Sequence, residues 1–219
     1  MKAYPPMEAA RIIIITGTPG AGKTTVAKEL TARLSAELMS IGELVKRENL
    51  VAERDEERGT VVADIKRLRT RVKTLLRKVK KDIVVEGHYA YDVVSKSANP
   101  YVFVLRRDPH DLEAALRRRG YDERKISENV AAEVLDVCLI GAMRRFGRDR
   151  LDEIEVTHMD VGMVVDEILA VLRGEKVMES GKVDWLGVLE EEGRLEGFLS
   201  QIVRVEGVEY GYLADDGET

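Results

Sequence analysis

The sequence predicts a doubly wound α/β fold, a parallel sheet of five strands covered by helices on both faces, followed by a C-terminal α/β extension. Three observations predict it. Runs of β-branched residues without polar alternation recur along the chain, as strands buried on both faces require. Stretches with helical periodicity lie between them. A glycine-rich turn joins the first such run to the first helix, and ligands of folds built this way bind at the carboxyl ends of the strands.

In chain order, Arg11 to Thr16 carries four consecutive isoleucines and reads as the first interior strand. Residues 23 to 35 follow as a helix. Leu38 to Ile41 is a weaker strand, and Ser40 with Glu43 has the spacing of a capping box that opens a helix over 42–49. A helix over 64–80 precedes the strand Ile83 to Val85, and Tyr101 to Leu105 is the next. Asp108 before Pro109 is an N-cap with proline at the first helical position, and Gly120 stands where that helix, 109–119, should stop. One helix is expected over 125–146, a weaker strand over 154–157 and a last helix over 161–173. Beyond Gly174 the pattern allows an amphipathic helix over 183–203, through Trp185, Leu189, Leu195 and Phe198, and a hairpin reaching Leu213. The expected units are residues 1–174 and an acidic extension, 175–219.

Composition bounds the function. Of 219 residues, 44% are hydrophobic and 34% charged, as in globular chains and unlike disordered ones. The uncharged stretch Ile12 to Gly22 is too short to span a bilayer, and Pro5, Pro6, Glu8 and Arg11 interrupt any signal-like region, so no membrane contact and a cytoplasmic location are expected. A single cysteine, Cys138, excludes an internal disulfide and a cysteine-based zinc site, and its apolar neighbours suit a buried structural thiol. The net charge of −5 is uneven. Residues 175–219 hold four basic and twelve acidic side chains, a net of −8, which leaves the preceding residues at +3.

Gly17-Thr-Pro-Gly-Ala-Gly-Lys-Thr24 matches the phosphate-binding loop G-x-x-x-x-G-K-[ST] between strand and helix, the setting in which the motif works. Its glycines let backbone N–H groups turn inward around a β-phosphate and the helix N-terminus adds partial positive charge. Lys23 reaches the β and γ oxygens, and the Thr24 hydroxyl is placed for Mg²⁺. Glu86 ends the third buried run, adjacent to that loop in such folds, and is the candidate to hold the metal directly or through water. His88, two residues on, points to the same side and is the candidate to position an attacking group. Three arginines, 117 to 119, close the helix before Gly120. They point about 100° apart, so they cannot all serve one phosphate. Arg117 can pair with Glu113, which leaves Arg119 as the candidate for the transferring phosphoryl group, with Arg124 second. Arg106, at a strand end, is a candidate for a donor or acceptor phosphate. No Asn-Lys-x-Asp sequence occurs, which disfavours a GTPase.

Gly17 to Thr25, Ser40-Ile-Gly-Glu-Leu44, Val85-Glu-Gly-His88, Val104-Leu-Arg106 and Arg119-Gly-Tyr-Asp-Glu-Arg-Lys-Ile-Ser-Glu-Asn-Val130 together resemble the atypical adenylate kinase family, the isoenzyme-six type, over about residues 11–173. The resemblance implies a P-loop nucleoside monophosphate kinase with a short lid at about 118–128 and a monophosphate-binding segment at about 40–63. It implies ATP and Mg²⁺ as cofactors, with AMP or another nucleoside monophosphate as acceptor. It further implies ATP hydrolysis and a part in late maturation of the small ribosomal subunit, with a small-subunit ribosomal protein and rRNA as partners. By motif, Gly20, Gly22, Lys23, Thr24, Thr25 and Arg119 would bind ATP. This chain has Glu86 where the family often has aspartate, and Lys46 where relatives can carry arginine. Two other functions compete: an ATP-driven assembly factor whose kinase activity is incidental, and a kinase of another small hydroxyl compound. Nine basic residues between 66 and 81, on a helix with an apolar face, make phosphate contacts with RNA one expectation and a solvated helix face the other.

Overall fold

The computed structural model describes residues 10–55 and 60–204. The isoleucine run becomes β1 (Ile12–Gly17), in which Ile13, Ile14 and Ile15 are fully buried. Successive side chains of a strand face opposite ways, so β1 is covered on both sides. It is followed by α1 (Lys23–Leu34), β2 (Glu37–Ser40), α2 (Ile41–Glu48), the strands β3 (Val51–Asp55) and β4 (Thr60–Ala63), α3 (Ile65–Leu76) and β5 (Ile83–Glu86). After these come α4 (Ala90–Val93), β6 (Tyr101–Arg106), α5 (Pro109–Arg118), α6 (Glu123–Val134), α7 (Val137–Phe146), β7 (Leu151–Glu155) and α8 (Val161–Leu172). Two helices, α9 (Trp185–Glu191) and α10 (Leu195–Arg204), end the described chain.

Among the described residues, five strands form one parallel sheet in the order β2-β5-β1-β6-β7. Ile15 lies opposite Glu86 of β5 on one side and Phe103 of β6 on the other. The chain goes to one side of β1 for β2 and β5 and to the other for β6 and β7, so the end of β1 is the switch point where such sheets bind ligands. Ile13, Ile15, Leu30, Phe103 and Ile168 build the core layer beneath α1 and α8. Ile14, Val85, Val104, Leu68 and Leu139 build the layer on the opposite face. The phosphate loop thus stands on a rigid platform.

Three expectations are corrected and one segment is filled in. The single helix over 125–146 is two, α6 and α7, because Asp136 takes the left-handed conformation (φ 57°). Its carboxylate and the Glu133 carbonyl both accept from Arg106 Nη2, which holds the chain in a reversal that no helix could make. The last strand is Leu151–Glu155 rather than 154–157, since Leu151 is fully buried and pairs with Val102. The amphipathic helix of 183–203 breaks at Gly193 (φ 68°) into α9 and α10. The segment 40–63 contains the antiparallel β3–β4 ribbon beyond its helix. Residues 56–59 of that segment and the hairpin expected before Leu213 lie outside the described residues.

The caps stand as the sequence has them. Asp108 accepts from the N–H groups of His110 and Asp111 at 2.9 and 3.2 Å, and Ser40 Oγ accepts from Glu43 N at 3.4 Å.

Candidate functional site

The loop between β1 and α1 needs its glycines for different reasons. At Gly17 (φ 135°) a Cβ would run into the Leu105 carbonyl of β6, and at Gly20 (φ 99°) it would stand 2.7 Å from Leu112 of α5. Gly22 (φ 94°) is the left-handed residue that turns the chain into α1, and its carbonyl accepts from Thr25 N at 3.0 Å. The loop therefore presses against the strand and helix that lead to residues 118–128.

Lys23 is buried and its Nζ donates to the Thr18 carbonyl at 2.9 Å, across its own loop. Burial pushes the ammonium below the ordinary lysine range. Cys138, Glu86 and Glu133 pull it back up, while the positive charge of Arg119 adds to the lowering. A buried cation without a carboxylate partner in hydrogen-bond contact favours an incoming anion. Thr24 and Thr25 are exposed at the opening of the helix.

Glu86 ends β5 only 4% exposed, and its Oε2 accepts from Thr24 Oγ1 at a long 3.3 Å. The two residues expected to hold Mg²⁺ are therefore side by side. Both offer oxygen, the donor that a hard cation takes. Among the described residues no group of three or more His, Cys, Asp or Glu side chains forms a cage for an ion. Magnesium, which keeps waters and substrate phosphates as ligands, needs no such cage. His88 follows beside the same opening, half-buried, with its ring 3.7 Å from that of Tyr89. Burial, with Lys23 nearby, lowers its pKa to about 3, so the imidazole is neutral at physiological pH.

Arg119 caps α5 and is exposed; its backbone N–H donates to the Leu116 carbonyl at 3.0 Å, but its guanidinium has no hydrogen bond or ion pair among the described residues. Arg117 is held by Glu113 at 3.0 Å and Glu123 at 2.7 Å, and Arg124 by Glu128 at 3.2 Å. Of these three, Arg119 alone is unengaged. Arg106 is not a phosphate ligand. It is 2% exposed and gives its N–H groups to Glu133 (2.8 Å), Glu153 (2.6 Å) and Asp136. Burial alone would lower its pKa, but the three carboxylates outweigh that and hold it above the ordinary range. Cys138 is half-buried, and burial pushes its thiol up to about 11, so it is no nucleophile.

Sequence reasoning missed two residues that touch the loop. Glu133 of α6 accepts from Thr18 Oγ1 at 2.5 Å, and Arg107 Nη1 donates to the Gly20 carbonyl at 3.1 Å. An acidic residue inside Val130-Ala-Ala-Glu-Val-Leu135 was the available signal for Glu133. Nothing in the sequence separates Arg107 from Arg106, since which of two neighbours is buried depends on where β6 ends.

An AAA domain model matches residues 13–136. A protein of Methanocaldococcus jannaschii named "Putative adenylate kinase" is 39% identical over 174 residues, which are 79% of this chain and 92% of that protein. A protein of the same name from Archaeoglobus fulgidus is 32% identical over 195 residues, 87% of this chain and 99% of its own length. Among solved structures, shikimate kinase from Acinetobacter baumannii in complex with shikimate matches with a TM-score of 0.59 at 17% identity, over 77% of this chain and 96% of that one. A gluconokinase from Sinorhizobium meliloti matches with a TM-score of 0.53 at 18% identity, over 77% and 94%. At these identities the two structures share the fold.

Proposed function

The chain belongs to the atypical adenylate kinase family, and from that premise we propose that it transfers the γ-phosphate of ATP to AMP or a related nucleoside monophosphate, with slower ATP hydrolysis when water takes the acceptor's place. The observation that carries this reading is the grouping of Lys23, Thr24 and Glu86 at the end of β1 and β5, with Arg119 unengaged across the loop. Phosphoryl transfer asks for positioning and for positive charge at the oxygens that gain negative charge. In this reading the glycines and backbone of the loop cradle the phosphates, and Lys23 exchanges the Thr18 carbonyl for the β and γ oxygens. Arg119 approaches as the lid segment 118–128 closes and excludes water. Thr24 and Glu86 would hold Mg²⁺, directly or through water, and the bound ion supplies charge neutralisation at the transferring group. Neutral His88 accepts or donates a hydrogen bond at the acceptor or an attacking water. Segment 40–63 receives the monophosphate, with exposed Lys46 on α2 available to its phosphate.

Residues 1–174 are the unit that holds the proposed catalytic groups, and the proposed location is the cytoplasm. No helix of the described residues is long and apolar enough to cross a membrane. A second reading, an ATP-driven factor for the small ribosomal subunit that contacts a ribosomal protein and rRNA, draws on α3 and the residues after it. Lys66, Lys73, Arg77, Lys78, Lys80 and Lys81 are exposed there. It is weakened by Arg69 and Arg71, which are bound to Asp92 and Glu48 at 2.6 Å each. Incubation with ATP, Mg²⁺ and each nucleoside monophosphate in turn tests the first reading. It expects acceptor-dependent ADP formation, and acceptor-independent ATP loss would favour the second.

A further inference from the structure

The C-terminal extension reaches the phosphate loop through one buried carboxylate. After α8 ends at Leu172, the chain crosses the open edge of β7. Glu153 N donates to the Glu179 carbonyl at 2.8 Å, Glu179 N to Asp152 Oδ1 at 3.1 Å, and Lys182 N to Glu153 Oε2 at 2.6 Å. This strap delivers Trp185, the first residue of α9 and 7% exposed, against Val134 of α6. Its indole Nε1 donates to Glu133 Oε1 at 3.1 Å.

Glu133 is 2% exposed, and its two oxygens are divided between scaffold and site. Oε1 takes Arg106 Nε at 2.8 Å, Arg107 N at 3.1 Å and Trp185 Nε1. Oε2 takes Thr18 Oγ1. The Thr18 carbonyl is the atom to which Lys23 Nζ is bonded. Three donors on one oxygen fix the plane of the carboxyl group, and a fixed plane leaves the other oxygen one place to hold the threonine. Further along, Arg194 Nη2 lies 3.1 Å from His110 Nδ1, so the extension touches α5 as well as α6, the two helices that flank the lid segment.

We propose that Glu133 and Trp185 are positioning residues for the phosphate loop, and that the extension, through Trp185, is a working part of the nucleotide site. The proposal rests on the reading of that loop as the ATP site. Neither residue touches substrate. Both act through Thr18 on the backbone that Lys23 leaves when phosphate binds.

Trp185 is the chain's one tryptophan, so its emission reports this contact. In the full-length protein, saturating ADP should change that emission. In Thr18→Val, which keeps the side-chain shape and removes the hydroxyl donor, ADP should bind roughly three- to tenfold more weakly in calorimetry, and at saturating ADP the emission change should fall at least threefold. Trp185→Phe keeps an aromatic ring against Val134 and loses the N–H. Its KM for ATP should rise roughly three- to tenfold, less than the full worth of a hydrogen bond to a charged group because the indole acts on the loop only through Glu133 and Thr18. Its KM for AMP should stay within about twofold of wild type. Wild-type ATP kinetics in Trp185→Phe, an equal rise in both KM values with a lowered melting temperature, or emission blind to ADP that calorimetry shows bound would each overturn the proposal. Emission that responds to ADP in a protein that transfers no phosphoryl group would uphold the coupling and overturn the kinase reading alone.

Discussion

Two buried glutamates flank the phosphate loop and do opposite things. Glu86 and Glu133 are 4% and 2% exposed, and each touches a threonine of the loop. Among the described residues Glu86 accepts one long bond, 3.3 Å from Thr24, and so keeps lone pairs for the proposed metal or its waters. Glu133 has four donors from three directions and none to spare. Burial and residue type do not separate the two roles. The number of donors does: a saturated buried carboxylate is scaffold, whereas an unsaturated one costs stability and is kept where chemistry needs it.

The comparison can be broken by experiment, beginning with the site both residues serve. Lys23→Ala should lower transfer by about 10³-fold or more, since the transition state loses a fixed charge at the bridging oxygens, and the melting curve should stay close to wild type. Steady-state rates and thermal unfolding on one preparation check both halves. Near-normal turnover in the folded variant would remove the loop from catalysis.

Glu133→Ala and Glu86→Gln should then part company. Removing Glu133 leaves Arg106 short of one of its carboxylates, and breaking a buried pair costs about 3–5 kcal/mol, so denaturant unfolding should show a large loss of stability. Glu86→Gln should unfold almost as the wild type does while its rate falls about ten- to a hundredfold and its half-saturating magnesium concentration rises. If both variants lose stability equally and the magnesium titration of Glu86→Gln is unchanged, the distinction by donor count is wrong.

Arg119→Ala should lower kcat about tenfold with little change in the KM for the monophosphate, because its unengaged guanidinium is the one proposed to meet the transferring phosphoryl group. Arg117→Ala, already tied to Glu113 and Glu123, should cost less than threefold. Reversal of that order in steady-state kinetics would reassign the lid arginine.

The smallest effect concerns His88. Its folded pKa of about 3 lies below the unfolded value near 6.5, so between those values the unfolded chain binds the extra proton. Stability contributed by the neutral ring is present above about pH 6.5 and lost as pH falls toward 3. The midpoint of urea unfolding should therefore drop between pH 7 and 4, and His88→Gln should flatten part of that slope.

How much of this was legible depended on the range over which a residue is determined. The isoleucine run, the glycine pattern and the Asp108-Pro109 cap are set by neighbours within a few positions, and the sheet, the loop and the start of α5 follow from them. Glu86 and Lys23 were legible for the same reason, since each stands at a fixed offset from a strand. Arg106 was misread because its three carboxylates come from positions 133, 136 and 153, far along the chain. The same long-range pairing set Asp136 left-handed and split the helix expected over 125–146. Trp185 was visible as one apolar position among several, and its bond to Glu133, 52 residues away, exists only in the folded chain.

The reaction proposed for the loop is transfer of the γ-phosphoryl group of ATP to a nucleoside monophosphate. ATP labelled in the γ-phosphate, incubated with the full-length protein, Mg²⁺ and AMP, measures this directly when labelled ADP and labelled inorganic phosphate are separated at early times. Most of the label should appear as the β-phosphate of ADP made from AMP, with free phosphate a minor product that rises when AMP is left out. Label released only as inorganic phosphate, at a rate that AMP does not change, would contradict it.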